Sequence, residues 1–181
     1  AADVLGYPVV LKTDEPAIAH KSDVGGVMLG LQTAAEVATA FDDLAERLGK
    51  RVLVAATAPA GVELAIGLVR DPQLGPLVVV AAGGVLIELI SDRVVGLPPI
   101  DRDRAHRLIS RLSVHRLLKG VRGQPAADLE AVVDAVVSIS ILAEELGEGL
   151  NALDVNPLRC GPSGAVALDA LVVARPSSRF A

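Results

Sequence analysis

The stretch VVLKTDEPAIAHKSDVGGV, residues 9–27, decides how the chain is read. An apolar, β-branched run delivers Lys12. A polar connection follows, and His20, Lys21, Ser22 and Asp23 crowd against Gly25 and Gly26 before the next apolar run, GVMLGL (26–31). The pattern predicts two short strands joined by a loop that gathers two ammonium groups, an imidazole and bare backbone. A lysine at the end of a buried strand can meet a phosphate oxygen as a point charge. Gly25 and Gly26 let the main chain approach a ligand closely, with N–H groups turned inward. An isolated histidine is most often a solvated surface residue. Beside lysines and a glycine turn, His20 is a candidate nucleophile whose ring nitrogen accepts a phosphoryl group.

Outward from this stretch, Thr33 reads as an N-cap with Glu36 three residues on, opening a helix that stops at Gly49. RVLVAAT (51–57) is the next strand, the breaker APAG follows, and VELAIGLVRD (62–71) is a long strand that turns at DPQLGP into LVVVAA. Apolar spacing at Ala105, Leu108, Ile109 and Leu112 predicts a helix over 102–119, and a second covers 126–147. LNALDVNPL (150–158) and AVALDALVV (165–173) close the chain as a hairpin over a Gly/Pro/Ser turn. Helices lying between strands give an α/β or α+β class with a mixed or antiparallel sheet.

Composition narrows the function classes. The 181 residues are 51% hydrophobic but only 2% aromatic, so the core is built from Val, Leu, Ile and Ala. So apolar a chain is expected to hide part of its surface on a partner subunit or further domain, with an oligomer as one form of this. The net charge of −5 and the scarcity of stacking rings argue against nucleic-acid binding. Cys160 is the single cysteine, which excludes an internal disulfide and fits a reducing, cytoplasmic compartment. The longest apolar run, 77–90, carries two glycines and Glu88 and falls short of the roughly 20 residues of a membrane helix, so no membrane partner is expected. A start without Met, entering a strand almost at once, reads as a fragment or a processed chain.

The closing hairpin suggests a metal. Asp154 and Asn156 stand two apart on a strand and share a face. Folding symmetrically about Gly161-Pro162 would set Asp154 opposite Asp169. Two carboxylates and an amide oxygen amid Leu153, Val155 and Leu168 suit Mg²⁺, which takes one or two carboxylates and completes its shell with water and phosphate. The plainer alternative is a set of solvated strand-end residues, but facing carboxylates without a cation are costly to bury.

GYPVVLK, HKSDVGGV, RDPQLGPLVVVAAGG, LDVNPL and ALDALV, in that order, resemble the ATP-grasp domain of NDP-forming (ADP-forming) acyl-CoA synthetases, relatives of the succinyl-CoA synthetase β subunit. The resemblance runs from Gly6 to Val173 and implies that the N-terminal part of the domain, one more helix and strand, is missing here. It implies two α+β lobes, about 1–56 and 57–181, that hold ATP or ADP with Mg²⁺. It also implies the reaction acyl-CoA + ADP + Pi ⇌ acid + CoA + ATP by way of phosphohistidine. A CoA-binding domain or subunit is the implied partner, with CoA and a carboxylic acid as substrates of the whole enzyme. By resemblance Lys12 contacts nucleotide phosphates, Glu63 meets the ribose, and Arg70 falls in the phosphate-side stretch. Asp154, Asn156 and Asp169 match the metal end, and His20 the phosphoryl carrier.

Where the family usually shows Gln-Glu-Met, this chain has Ala55, Ala56 and Thr57, so polar side-chain readout of the adenine edge is gone. The altered hinge supports a rival expectation, a degenerate ligand-sensing or scaffold module of a multidomain acyltransferase. A carboxylate–amine ligase is the third, and gives no reason for His20. Glu88 touches the phosphate site or pairs with Arg93, His106 and His115 are solvated helix residues, and Cys160 is incidental.

Overall fold

The computed structural model describes residues 1–84 and 91–175, so the expectation for Glu88 lies outside the described residues. Contacts divide the chain into two compact units, Ala1–Ala58 and Pro59–Ala181.

In the first unit, β1 (Val9–Thr13) is the middle strand, flanked by β2 (Val27–Leu31) and β3 (Val52–Ala56), both antiparallel to it. A short helix α1 (Ala2–Leu5) precedes them, and α2 (Ala34–Arg47) connects β2 to β3. Thr33 caps α2 as expected: its hydroxyl accepts the Glu36 N–H at 3.2 Å, while Glu36 Oε2 accepts the Gln32 N–H at 2.7 Å. Leu11, Ala40 and Leu44 form the core between sheet and helix. Strand alternation therefore turns Lys12 to the face away from α2.

The second unit is a six-stranded antiparallel sheet with helices packed on one face. It comprises β4 (Val62–Asp71), β5 (Gly75–Ala82), β6 (Arg93–Gly96), β7 (Leu150–Gly161), β8 (Gly164–Ala167) and β9 (Ala170–Ala174). The order is β6-β5-β4-β7-β8, with β9 pairing the other half of β7. Asp71 makes the β4–β5 turn by accepting the Gln73 and Leu74 N–H groups at 2.8 and 2.9 Å. Those bonds, Leu74 first, hold its carboxyl below the ordinary carboxylate range. Leu64, Ile66, Val78, Val80, Val155, Leu158 and Cys160 join the helices in one core. All strand pairings among the described residues are antiparallel. The mixed alternative fails because α2 carries the chain across β1, leaving β2 and β3 on opposite sides of it and unpaired.

The helix expected over 102–119 is two pieces, α3 (Arg102–Ser110) and α4 (His115–Leu118). Asp92 is the local cause: its carboxylate accepts the Ser113 and Val114 N–H groups, both at 2.8 Å, and so starts a fresh turn. The second helix, α5, runs Leu129–Glu145 behind an Asp128 cap that accepts the Ala131 N–H at 3.1 Å. Among the described residues no helix is long and apolar enough to cross a membrane.

Cys160 is 1% exposed, and burial pushes its thiol up to about 12. Iodoacetamide at pH 8 is therefore expected to leave the folded protein unlabelled and to modify Cys160 only in denaturant, as mass spectrometry would show. Rapid labelling of the native protein would contradict the packing.

Candidate functional site

His20 lies exposed in the loop between β1 and β2. The loop is closed by its own backbone: the Gly25 N–H donates to Ser22 O at 3.1 Å, and the Gly26 N–H to Lys21 O at 2.7 Å. The expectation that these two amides face a ligand is thereby corrected, because both are used inside the turn. Their glycines are needed for other reasons. Gly25 has φ +63°, and a Cβ on Gly26 would stand 2.6 Å from Thr13 Cγ2 and 2.9 Å from Lys21 O. The Gly26 carbonyl accepts the Thr13 N–H at 2.8 Å, which ties the end of the loop to β1. Lys12, half-buried, sits opposite Val27 and Leu53 on the neighbouring strands.

In the second unit, burial alternates along β7. Leu153 and Val155 enter the core, and the half-buried Asp154 and Asn156 belong to the other face. A register shift between Leu64 and Ile66 brings Leu158 and Cys160 back to the core, which places Arg159 on the face of Asp154. Across β4 the partners are Gly67 for Asp154 and Glu63 for Arg159.

The predicted opposition of Asp154 and Asp169 is corrected. The hairpin turns at Pro162-Ser163, with Gly161 opposite Gly164, one residue later than expected. Moving the centre by one residue moves each partner by two, so Asp154 faces Leu171. Asp169 instead lies at the break between β8 and β9, where its main-chain carbonyl accepts the Asn156 N–H at 3.3 Å. Asn156 Oδ1 accepts the Gly84 N–H at 3.2 Å, and the Gly83 N–H donates to Glu63 O at 2.9 Å. Asn156 and Glu63 thus hold the Gly83-Gly84 backbone at the end of β5.

A magnesium-type ion fits this donor set. Asp154 and Asn156 present hard oxygens on one face of β7, and Asn156 Oδ1, which accepts the Gly84 N–H, keeps a second lone pair for a cation. Among the described residues no three His, Cys, Asp or Glu side chains gather as a metal cluster. An ion here would rely on few protein ligands and on oxygens of a bound anion, as Mg²⁺ commonly does.

Glu63 and Arg70 differ from their expected settings. Glu63 forms an ion pair with Arg159, both about one-quarter exposed (28% and 27%), so its carboxylate is engaged within the sheet. Nothing local in the sequence marks Arg159, because its pairing depends on the β4–β7 register. Arg70 donates from Nε to Leu150 O at 3.3 Å and from Nη2 to Gly147 O. It therefore fastens the 3-10 turn Gly147–Gly149 to the sheet rather than presenting these two nitrogens to a phosphate. Arg70→Ala is expected to lower stability by about 1–3 kcal/mol, measured by urea unfolding, because two carbonyls lose a charged donor. Nucleotide affinity by calorimetry should stay unchanged, and a selective loss of affinity would restore the phosphate-side role.

Comparison with known proteins gives a family model, described as an ATP-grasp domain, that matches residues 1–174. The chain is 33% identical over 177 residues to the acetate–CoA ligase [ADP-forming] I subunit beta of Pyrococcus furiosus, covering 93% of this chain and 76% of that subunit. It is 36% identical over 175 residues to acetate–CoA ligase [ADP-forming] I of Archaeoglobus fulgidus, where it spans only 25% of the relative's length. Among solved structures it resembles the Ca. Korarchaeum cryptofilum dinucleotide forming acetyl-coenzyme A synthetase 1 in complex with coenzyme A and Mg-AMPPCP, with a phosphohistidine segment pointing towards the nucleotide binding site. That likeness has a TM-score of 0.84 and 38% identity, over 96% of this chain and 79% of that one.

Proposed function

The chain belongs to the ATP-grasp domain family, and from that premise we propose that it is the nucleotide-binding part of an ADP-forming acyl-CoA synthetase. It exchanges a phosphoryl group between ATP or ADP and an acyl-phosphate site through His20. The observation that carries the reading is the exposed imidazole of His20 on a glycine-closed loop in a chain whose relatives are ADP-forming acetate–CoA ligases. A CoA-binding domain or subunit supplies the acyl-phosphate chemistry, with CoA and a carboxylic acid as the other substrates. The lone, buried cysteine accords with a cytoplasmic location.

The neutral imidazole of His20 attacks the γ-phosphorus of ATP with a ring-nitrogen lone pair. The bond from phosphorus to the bridging oxygen breaks, its electron pair leaves with ADP, and the ring sheds its remaining proton to solvent. Lys12 offers a compact positive charge to the phosphates. Asp154 and Asn156, with Asp169 beside them, would hold Mg²⁺, which neutralises phosphate charge when bound. Glu63 contacts the ribose if the nucleotide draws it from Arg159. The hinge carries Ala55, Ala56 and Thr57, and the Thr57 N–H already donates to Pro8 O at 3.3 Å. Adenine readout there falls to the remaining backbone groups.

The test is incubation of the full-length protein with Mg-ATP labelled at the γ position. Acid-labile, alkali-stable phosphate on the chain is the expected result. ATP binding without any such phosphate would leave a nucleotide-sensing module, and absence of both binding and label would leave a scaffold.

A further inference from the structure

The loop that carries His20 is held at both feet by arginines, and this bears on how the nucleophile is aimed. Arg47 is the last residue of α2. Its Nε lies 3.2 Å from both carboxylate oxygens of Asp43, and its Nη2 donates to Asp43 Oδ2 at 2.7 Å. The same guanidinium reaches back across the sequence: Nη1 donates to Val24 O and Nη2 to Gly25 O, each at 3.3 Å. At the other foot the Arg51 N–H donates to Glu15 Oε1 at 2.9 Å, Arg51 Nη2 pairs with Asp14 Oδ2 at 2.9 Å, and the Asp14 N–H donates to Arg51 O at 2.8 Å. Between the feet, His20 is exposed.

We infer that Arg47, oriented by Asp43, is a positioning residue for His20: it fixes the Lys21–Gly26 turn from outside and thereby sets where the imidazole is presented. The inference rests on the proposed role of His20. The turn's two internal bonds give it shape, but they move with it. Besides the tie of Gly26 O to Thr13, the Arg47 bonds anchor this end of the loop to another element. A planar guanidinium serves two carbonyls and a carboxylate at once, which an ammonium cannot do with the same geometry. The Arg47 bond also holds the Asp43 carboxyl below the ordinary carboxylate range, so the anchor is charged at neutral pH. The pair is exposed, at 40% and 45%, and exposed pairs contribute little to global stability. Its effect therefore belongs in the rate of phosphoryl transfer and not in the melting temperature.

The experiment compares wild type, Arg47→Ala, Arg47→Lys and Asp43→Asn in the full-length protein. It reads single-turnover labelling of His20 from saturating Mg-ATP, ATP affinity by calorimetry, thermal midpoint, and amide exchange at Gly25 and Gly26. Arg47→Ala is expected to label about 10- to 100-fold more slowly, since a displacement of about 1 Å can cost that much. Affinity and thermal midpoint should hold, Gly25 and Gly26 should exchange faster, and Arg47→Lys and Asp43→Asn should fall between. An unchanged labelling rate in Arg47→Ala would overturn the inference, as would a loss of rate matched by a loss of affinity or of thermal stability. If wild type takes no label, the nucleophile reading fails separately. Unchanged amide exchange in Arg47→Ala would then still dispose of the clamp.

Discussion

Replacing His20 by alanine is expected to remove the acid-labile phosphate altogether, a loss on the order of a thousandfold or more in labelling rate, because no other group takes over a deleted nucleophile. The side chain is exposed in its loop, and the backbone bonds that close the Lys21–Gly26 turn do not involve it. Folding should therefore be unaffected, with a stability change within about 0.5 kcal/mol, typical of surface positions. ATP binding should persist as well, since the imidazole is assigned to the chemical step. Equal labelling of His20→Ala and wild type would remove His20 from the mechanism, and His106 and His115 would be the remaining imidazoles to examine. His106 stands 3.2 Å from Glu130 in a surface ion-pair network with Arg102 and Asp134, a structural setting that accounts for it.

Leu64→Ala is expected to cost about 2–5 kcal/mol, measured as a lower urea midpoint. Leu64 is 0% exposed on β4, the strand bonded to both β5 and β7, with Ala82 and Leu158 as its partners. The site resists collapse because Gly83 already crowds the Leu64 backbone so closely that even a Cβ there would overlap it. A cavity at this point should persist, which puts the expected cost in the upper half of that range. Since whole domains are stable by only about 5–15 kcal/mol, such a loss is large. A change under 1 kcal/mol would mean that the β4 core is packed less tightly than described.

Local signals in the sequence were sufficient where the physics is local. The Thr33 cap, the Asp71 turn and the alternation that separates Asp154 from Leu153 depend on neighbours within about four residues, and each is present. The break between α3 and α4 was not legible, because it depends on Asp92, a residue outside the helix pattern. The hairpin register was legible only to within one residue at the turn. That small difference moved the partner of Asp154 from Asp169 to Leu171, since every displacement of the centre counts twice across an antiparallel pair.

The residues of the site show the same division. The order of the short motifs was enough to indicate the family, and His20, Lys12, Asp154 and Asn156 were visible as chemically apt groups because their types and local spacing carry the signal. Which atoms each side chain actually serves depended on contacts made far along the chain. Arg70 meets carbonyls 77 and 80 residues away, Glu63 meets Arg159 across 96 residues, and Arg47 reaches back over 22 and 23. A guanidinium or carboxylate on a strand or helix end has several partners within reach of its long stem. Which of them it takes is decided by strand pairing and helix docking, and neither leaves a periodic trace in the sequence.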